Sequence, residues 1–152
     1  EMTSSLVGSE MCIRDRRKYE MKEVLTIQVS TWQMIGVKGK TAEAGMILFD
    51  GFCDCENFKG RILPGGVDTQ KSFYPEARSL SARYILEGTD RNGKECRIFI
   101  ENNGTADKEG RIEYTKPRII TDSESLGWME TADLTGTITP WDKGVMIHIF
   151  VN

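Results

Sequence analysis

Alternation of apolar and polar residues with a period of two is the feature that most constrains what this chain can fold into. Leu25, Ile27 and Val29 alternate with Thr26, Gln28 and Ser30. Leu80, Ala82, Tyr84 and Leu86 alternate with Ser81, Arg83, Ile85 and Glu87, and Cys96, Ile98 and Ile100 with Arg97, Phe99 and Glu101. Ala132, Leu134, Gly136 and Ile138 face one way, and Val145 to Val151 closes the pattern. This period sends successive side chains to opposite faces of a strand, whereas a helix needs a period of 3.6. No segment carries a helical stripe. The continuous run Met46 to Phe49 predicts a strand buried on both faces. Ile112 and Tyr114 predict a short strand that Pro117 ends or places at an edge, because proline gives no N–H to a ladder.

The turns agree. Asn92-Gly93 between two alternating runs is a strong hairpin signal. Pro140-Trp141-Asp142-Lys143-Gly144 predicts a second hairpin between the last two strands. Pro64-Gly65-Gly66 is a tight turn directly after an apolar strand. The segment Asp68 to Arg78, of mixed polarity and holding Pro75, predicts a loop over one mouth. Eight to ten short strands in one domain imply an all-β antiparallel sandwich or barrel.

Composition narrows the partners. Thr3 to Arg16 is similar to translated sequencing-adapter read-through, and it carries Glu10, Arg14, Asp15 and Arg16 with no apolar stretch long enough for a secretory signal. Residues 1–20 are therefore expected to be a non-native or disordered segment and residues 21–152 a single domain with one core. The net charge of −3 offers no electrostatic footprint for nucleic acid or an anionic membrane. No apolar run approaches a membrane span. Of four cysteines, Cys12 lies in the adapter-like segment; Cys53, Cys55 and Cys96, an odd set without a secretory signal, imply reduced thiols in a cytoplasmic protein.

Several residues could carry chemistry. Asp68 follows two glycines; it either caps the turn or holds a rigid carboxylate at a barrel mouth, suited to moving a proton or binding a hydroxyl. Arg83, Glu87, Arg97 and Glu101 stand on the polar faces of two adjacent strands. They form either a solvated wall of cross-strand ion pairs or, for Arg83 and Glu101, an inward polar cluster near Asp68. Tyr84 and Trp128 are either core rings or cavity walls. Asn102 and Gly104 fit a turn. The lone His148, between Met146 and Phe150, reads as a sheet histidine. Cys53-Asp54-Cys55 lacks the turn-forming spacing of a zinc site, so no metal is expected. Neither a Gly-x-Ser-x-Gly elbow nor a phosphate loop is present, and no cofactor is expected.

Leu63-Pro64-Gly65-Gly66-Val67-Asp68, Ala82-Arg83-Tyr84, Asn92-Gly93, Ile100-Glu101-Asn102-Asn103-Gly104 and Gly127-Trp128 occur in an order that resembles the bacterial and fungal family called domain of unknown function 3237. The resemblance runs from about Val24 to Phe150. It implies a lipocalin-like (calycin-like) barrel rather than a sandwich, and it favours Asp68 and Arg83 as site residues. Thr69 departs from it, since the family often has an aromatic there. The expectation that follows is a barrel taking a small, partly apolar organic ligand in its lumen. As an isomerase, cyclase or lyase it would use Asp68, Arg83 and Glu101 for catalysis and Tyr84, Asn102 and Trp128 as ligand contacts. The alternatives are a binding protein without chemistry and a filled barrel acting through its surface or as a homo-oligomer.

Overall fold

The computed structural model describes residues 21–152, so the expectations for residues 1–20 lie outside the described residues. Nine strands follow in chain order: β1 (Lys22–Lys38), β2 (Ala42–Asp54), β3 (Phe58–Ile62), β4 (Val67–Phe73), β5 (Ser79–Asp90), β6 (Glu95–Thr105), β7 (Thr115–Thr121), β8 (Leu134–Trp141) and β9 (Gly144–Val151). All pair antiparallel, and β1 joins both β2 and β9, so the sheet closes on itself. The chain is an all-β antiparallel barrel. Closure removes the free edges that an open sheet would expose. Among the described residues the only helical piece is a single 3-10 turn, Gly127–Glu130. No helix among them is long and apolar enough to cross a membrane.

β3 and β4 share one place in the ring. β3 pairs with the later parts of β2 and β5, and β4 with their earlier parts. The Pro64-Gly65-Gly66 turn makes the break between them. The β5–β6 hairpin closes at Asn92-Gly93, with Gly93 at φ 76°. Asp90 holds it by accepting hydrogen bonds from the Asn92 and Lys94 amides and from the Ser123 hydroxyl.

The alternating apolar residues fill the lumen. Ile27, Phe58, Leu86, Ile98, Ile100 and Ile149 are wholly inaccessible. Burying each such side chain contributes about 1.5–3 kcal/mol. The pairing of β1 with β9 ends at Ser30 and Gly144, and the rest of β1 continues beside β2 as an arm. Its Trp32, Met34, Ile35 and Val37 are exposed.

Three local expectations need correction. Asp68 to Phe73 is strand, not loop: its inward side chains are the polar ones, so the apolar signal is inverted. Met46 to Phe49 is not buried on both faces, because Phe49 points inward while Met46 stands exposed on the outer wall. Ile112 and Tyr114 precede the strand, which runs from Thr115 to Thr121 and contains Pro117. β7 is joined to β8 through the single pair Thr115 and Gly136, so one side of β7 is nearly free of ladder bonds and tolerates a residue without an N–H.

Candidate functional site

The lumen changes character towards the end built from the first halves of β4 and β5. Ile47, Asp68, Ala82, Asn102 and Pro117 are successive partners across β2, β4, β5, β6 and β7, and so form one inner row. Asp68 and Asn102 flank the small Ala82, with their backbones about 10 Å apart at two strand spacings. The next row outward runs through Gly45, Gln70, Leu80, Gly104, Thr115 and Gly136. A Cβ placed on Gly136 would stand 2.3 Å from the Thr115 hydroxyl oxygen, so the β8 backbone lies directly against Thr115.

Asp68 is oriented by a short relay. The Arg78 guanidinium donates to Gln70 Oε1 at 2.6 Å and to the Gly110 carbonyl at 3.2 Å. A guanidinium can only donate, so it fixes the Gln70 amide with its oxygen towards Arg78 and its nitrogen towards Asp68. Gln70 Nε2 then donates to Asp68 Oδ2 at 2.9 Å. The other carboxylate oxygen, Oδ1, is buried and has no hydrogen-bond partner among the described residues. Burial raises the Asp68 carboxyl above its ordinary range, offset in part by the Gln70 hydrogen bond and the Arg78 charge. One oxygen is held by Gln70 and the other has no partner among the described residues.

Asn102 Oδ1, the Thr115 hydroxyl and the Tyr84 hydroxyl are likewise buried without a partner among the described residues. Leaving such an atom unsatisfied costs about 1–3 kcal/mol, and Asn102 and Thr115 stand in adjoining rows of the inner wall. Tyr84 lies one inward position deeper along β5 than Ala82, its ring edge-on to Phe49 at 5.3 Å. Burial pushes its phenol far up, so it keeps its proton and remains a donor.

The other expected residues lie elsewhere. Arg83 sits between the inward Ala82 and Tyr84, so the period of the strand turns it outward. Its side chain is 57% exposed and its Nε lies 4.0 Å from Glu101, which also faces outward and accepts from Asn103. The inward cluster of Arg83 and Glu101 with Asp68 is therefore corrected: they form a solvated pair on the outer wall. Arg83 lines an open outer groove of about 490 Å³ with Lys71, Ser81 and Lys116. Trp128 belongs to the 3-10 turn and is 44% exposed at the opposite end of the barrel, so it does not share a cavity wall with Asp68. His148 is on the outer wall, where its ring bonds Thr139 and Glu23 at 2.8 Å each. The structure thus brings Asp68 and Asn102 into one inner row, with Tyr84 one inward position deeper and near Cys53, and adds Gln70, Arg78 and Thr115. The signal for Gln70 was its spacing of two from Asp68; Arg78 gave none.

An UPF0311 protein of Clostridium acetobutylicum is 32% identical over 136 residues, covering 88% of this chain and 82% of that protein. The chain belongs to the UPF0311 family. No family model matches it. Among solved structures, a protein with unknown function from Clostridium acetobutylicum superposes with a TM-score of 0.72 at 24% identity, covering 86% of this chain and 97% of the other. An enzyme from Penicillium herquei superposes with a TM-score of 0.66 at 12% identity, covering 87% and 93%. At these identities the two superpositions establish the shared barrel alone.

Proposed function

We propose that this member of the UPF0311 family binds a small, partly apolar organic molecule at the polar end of its lumen. Asp68 exchanges a proton with it, in an isomerisation, cyclisation or elimination run by the chain's own side chains. The observation that carries the reading is the divided state of Asp68: Oδ2 held by the Arg78–Gln70 relay and Oδ1 buried and free. A carboxyl raised by burial is a stronger base once ionised than a solvated one, and its midpoint moves towards the pH at which it works. Thr115 offers a hydroxyl proton to an oxygen on which charge develops, such a donor being worth about a hundredfold or more in rate. Asn102 adds an amide that orients the ligand, across the small Ala82 of β5 from Asp68. The likeness to a fungal barrel described as an enzyme fits this reading.

The test is hydrogen exchange. Small enolisable ketones are incubated with the chain in heavy water, and deuterium entering the carbon next to the carbonyl is followed by NMR. Exchange promoted by the wild type and lost in Asp68→Asn supports proton transfer. Ketones that bind without any exchange would make the site a binding pocket and remove Asp68 from catalysis.

A further inference from the structure

A second chemistry sits at the other end of the barrel. β2 ends in Cys53-Asp54-Cys55, and the two sulfur atoms stand 3.5 Å apart. Cys53 faces the lumen and is 2% exposed. Cys55 lies just past the last residue of β2, where the chain bends, and is half-buried. It lines a hollow of about 320 Å³ together with Lys22, Asn57, Arg91 and Trp128. Both thiols lie 3.5 Å from the Phe58 carbonyl oxygen, which holds them on the same side of the bend. Among the described residues no group of three His, Cys, Asp or Glu side chains is placed to hold a metal ion, so the chemistry here is that of two thiols.

We propose that Cys55 and Cys53 form a dithiol that exchanges with small disulfides entering this hollow, Cys55 attacking and Cys53 resolving. In the first step the Cys55 thiolate attacks one sulfur of the disulfide, forms a mixed disulfide and expels the other half as a thiolate. In the second, Cys53 passes its proton to the thiolate expelled in the first step and attacks the Cys55 sulfur, releasing the remaining half as a second thiolate, which takes up the proton Cys55 gave to solvent on ionising. The chain loses two hydrogens and two electrons, and the small disulfide gains them as two thiols. The sulfurs must close from 3.5 Å to a bond of about 2.05 Å. Because Cys55 sits at a bend and not within the ladder, side-chain rotation can supply that movement.

The division of labour follows from environment. The Cys53 hydrogen bond holds the Cys55 thiol down at about 6, against a smaller upward push from burial. The same bond and burial push Cys53 well up. Cys55 lines the hollow and Cys53 is 2% exposed, so an entering disulfide meets Cys55 first and leaves Cys53 to resolve, the pairing that thiol–disulfide exchange requires. Cys96, buried and raised by burial, is a control within the same chain.

The experiment incubates the full chain with hydroxyethyl disulfide at neutral pH, quenches with acid, alkylates free thiols and maps the peptides by mass. The expected result is a Cys53–Cys55 peptide lighter by two hydrogens and free of adduct, with Cys96 alkylated. Cys53→Ala should stop at a stable mixed disulfide on Cys55, and Cys55→Ala should leave Cys53 unmodified. The wild-type rate should fall about tenfold per pH unit below the Cys55 midpoint near 6. Unmodified thiols in the wild type, a lasting adduct on Cys55 beside a free Cys53, or equal reactivity at Cys96 would each overturn the proposal. The wild-type arm decides the matter even if either variant fails to fold.

Discussion

The two ends of this barrel are built from the same strands and end in opposite surfaces. Along β5 and β6 the inward residues at one end are Leu86, Ile98 and Ile100, all inaccessible and packed on one another. At the other end the same alternation delivers Ala82, Asn102 and Gly104, with Asp68, Gln70 and Thr115 beside them. A period of two decides which side chains enter a lumen but not what they do there. The packed end spends its inward positions on stability; the polar end leaves buried oxygen atoms without partners among the described residues, which costs folding about 1–3 kcal/mol each.

The sharpest test of that contrast compares one truncation at each end. Ile100→Ala should destabilise the chain by about 2–5 kcal/mol in urea unfolding, as expected for an inaccessible aliphatic residue. Thr115→Val keeps the shape and removes a hydroxyl without a partner, so its stability should match or exceed the wild type. Equal losses at both positions would erase the distinction between the ends.

The relay behind Asp68 should show an intermediate effect. Arg78→Ala frees the Gln70 amide and removes the positive charge that offsets the burial of Asp68. Ketone exchange at neutral pH should fall about tenfold, the equivalent of losing one charge-assisted hydrogen bond of about 1.5 kcal/mol. Its pH profile should move upward, because the carboxyl then ionises later. Loss of exchange with an unmoved profile would mean that Arg78 supports the fold and not Asp68.

Asp68 itself gives a smaller, signed effect on stability. Its folded carboxyl is raised above the unfolded value of about 3.9. The folded state therefore binds the proton more tightly, and the contribution of this group to stability is lost as pH rises through the folded midpoint. Asp68→Asn removes the loss, so at neutral pH its melting temperature should equal or exceed that of the wild type, and at pH 3 the two should converge. A melting temperature several degrees lower at neutral pH would make Asp68 a turn cap instead.

The strands were legible because inward residues at the packed end are apolar and outward ones polar, whereas closure into a ring rested on the family resemblance, since the same alternation fits a sandwich. Where the lumen turns polar that contrast inverts: in β4 the inward Asp68 and Gln70 alternate with Val67 and Thr69, and the strand reads as a loop. Asp68 was found from its place after the Pro-Gly-Gly turn, and Asn102 from its motif. Arg78 lies outside any strand and reaches Gln70 only through the fold, so nothing in its local sequence marks it. Cys53 and Cys55 were visible as a spacing unsuited to zinc, and which thiol is accessible depends on the bend that begins after Asp54.

The smallest effect is expected at Arg83, and it separates the inner wall from the outer one. Sequence placed Arg83 beside Asp68, yet Ala82 and Tyr84 on either side of it both point inward, so the strand cannot bring all three into the lumen. Its contact with Glu101 is 4.0 Å long, between side chains 57% and 34% exposed. Exposed pairs of this kind contribute at most about 1 kcal/mol and commonly less, since solvent screens them and the long side chains lose freedom. Arg83→Met should therefore change stability by no more than about 0.5 kcal/mol in urea unfolding. It should also leave ketone exchange unchanged, whereas Asp68→Asn, on the neighbouring strand and facing the other way, should abolish it. A fall in exchange with Arg83→Met at unchanged stability would mean that the outer groove, and not the lumen, holds the reacting molecule.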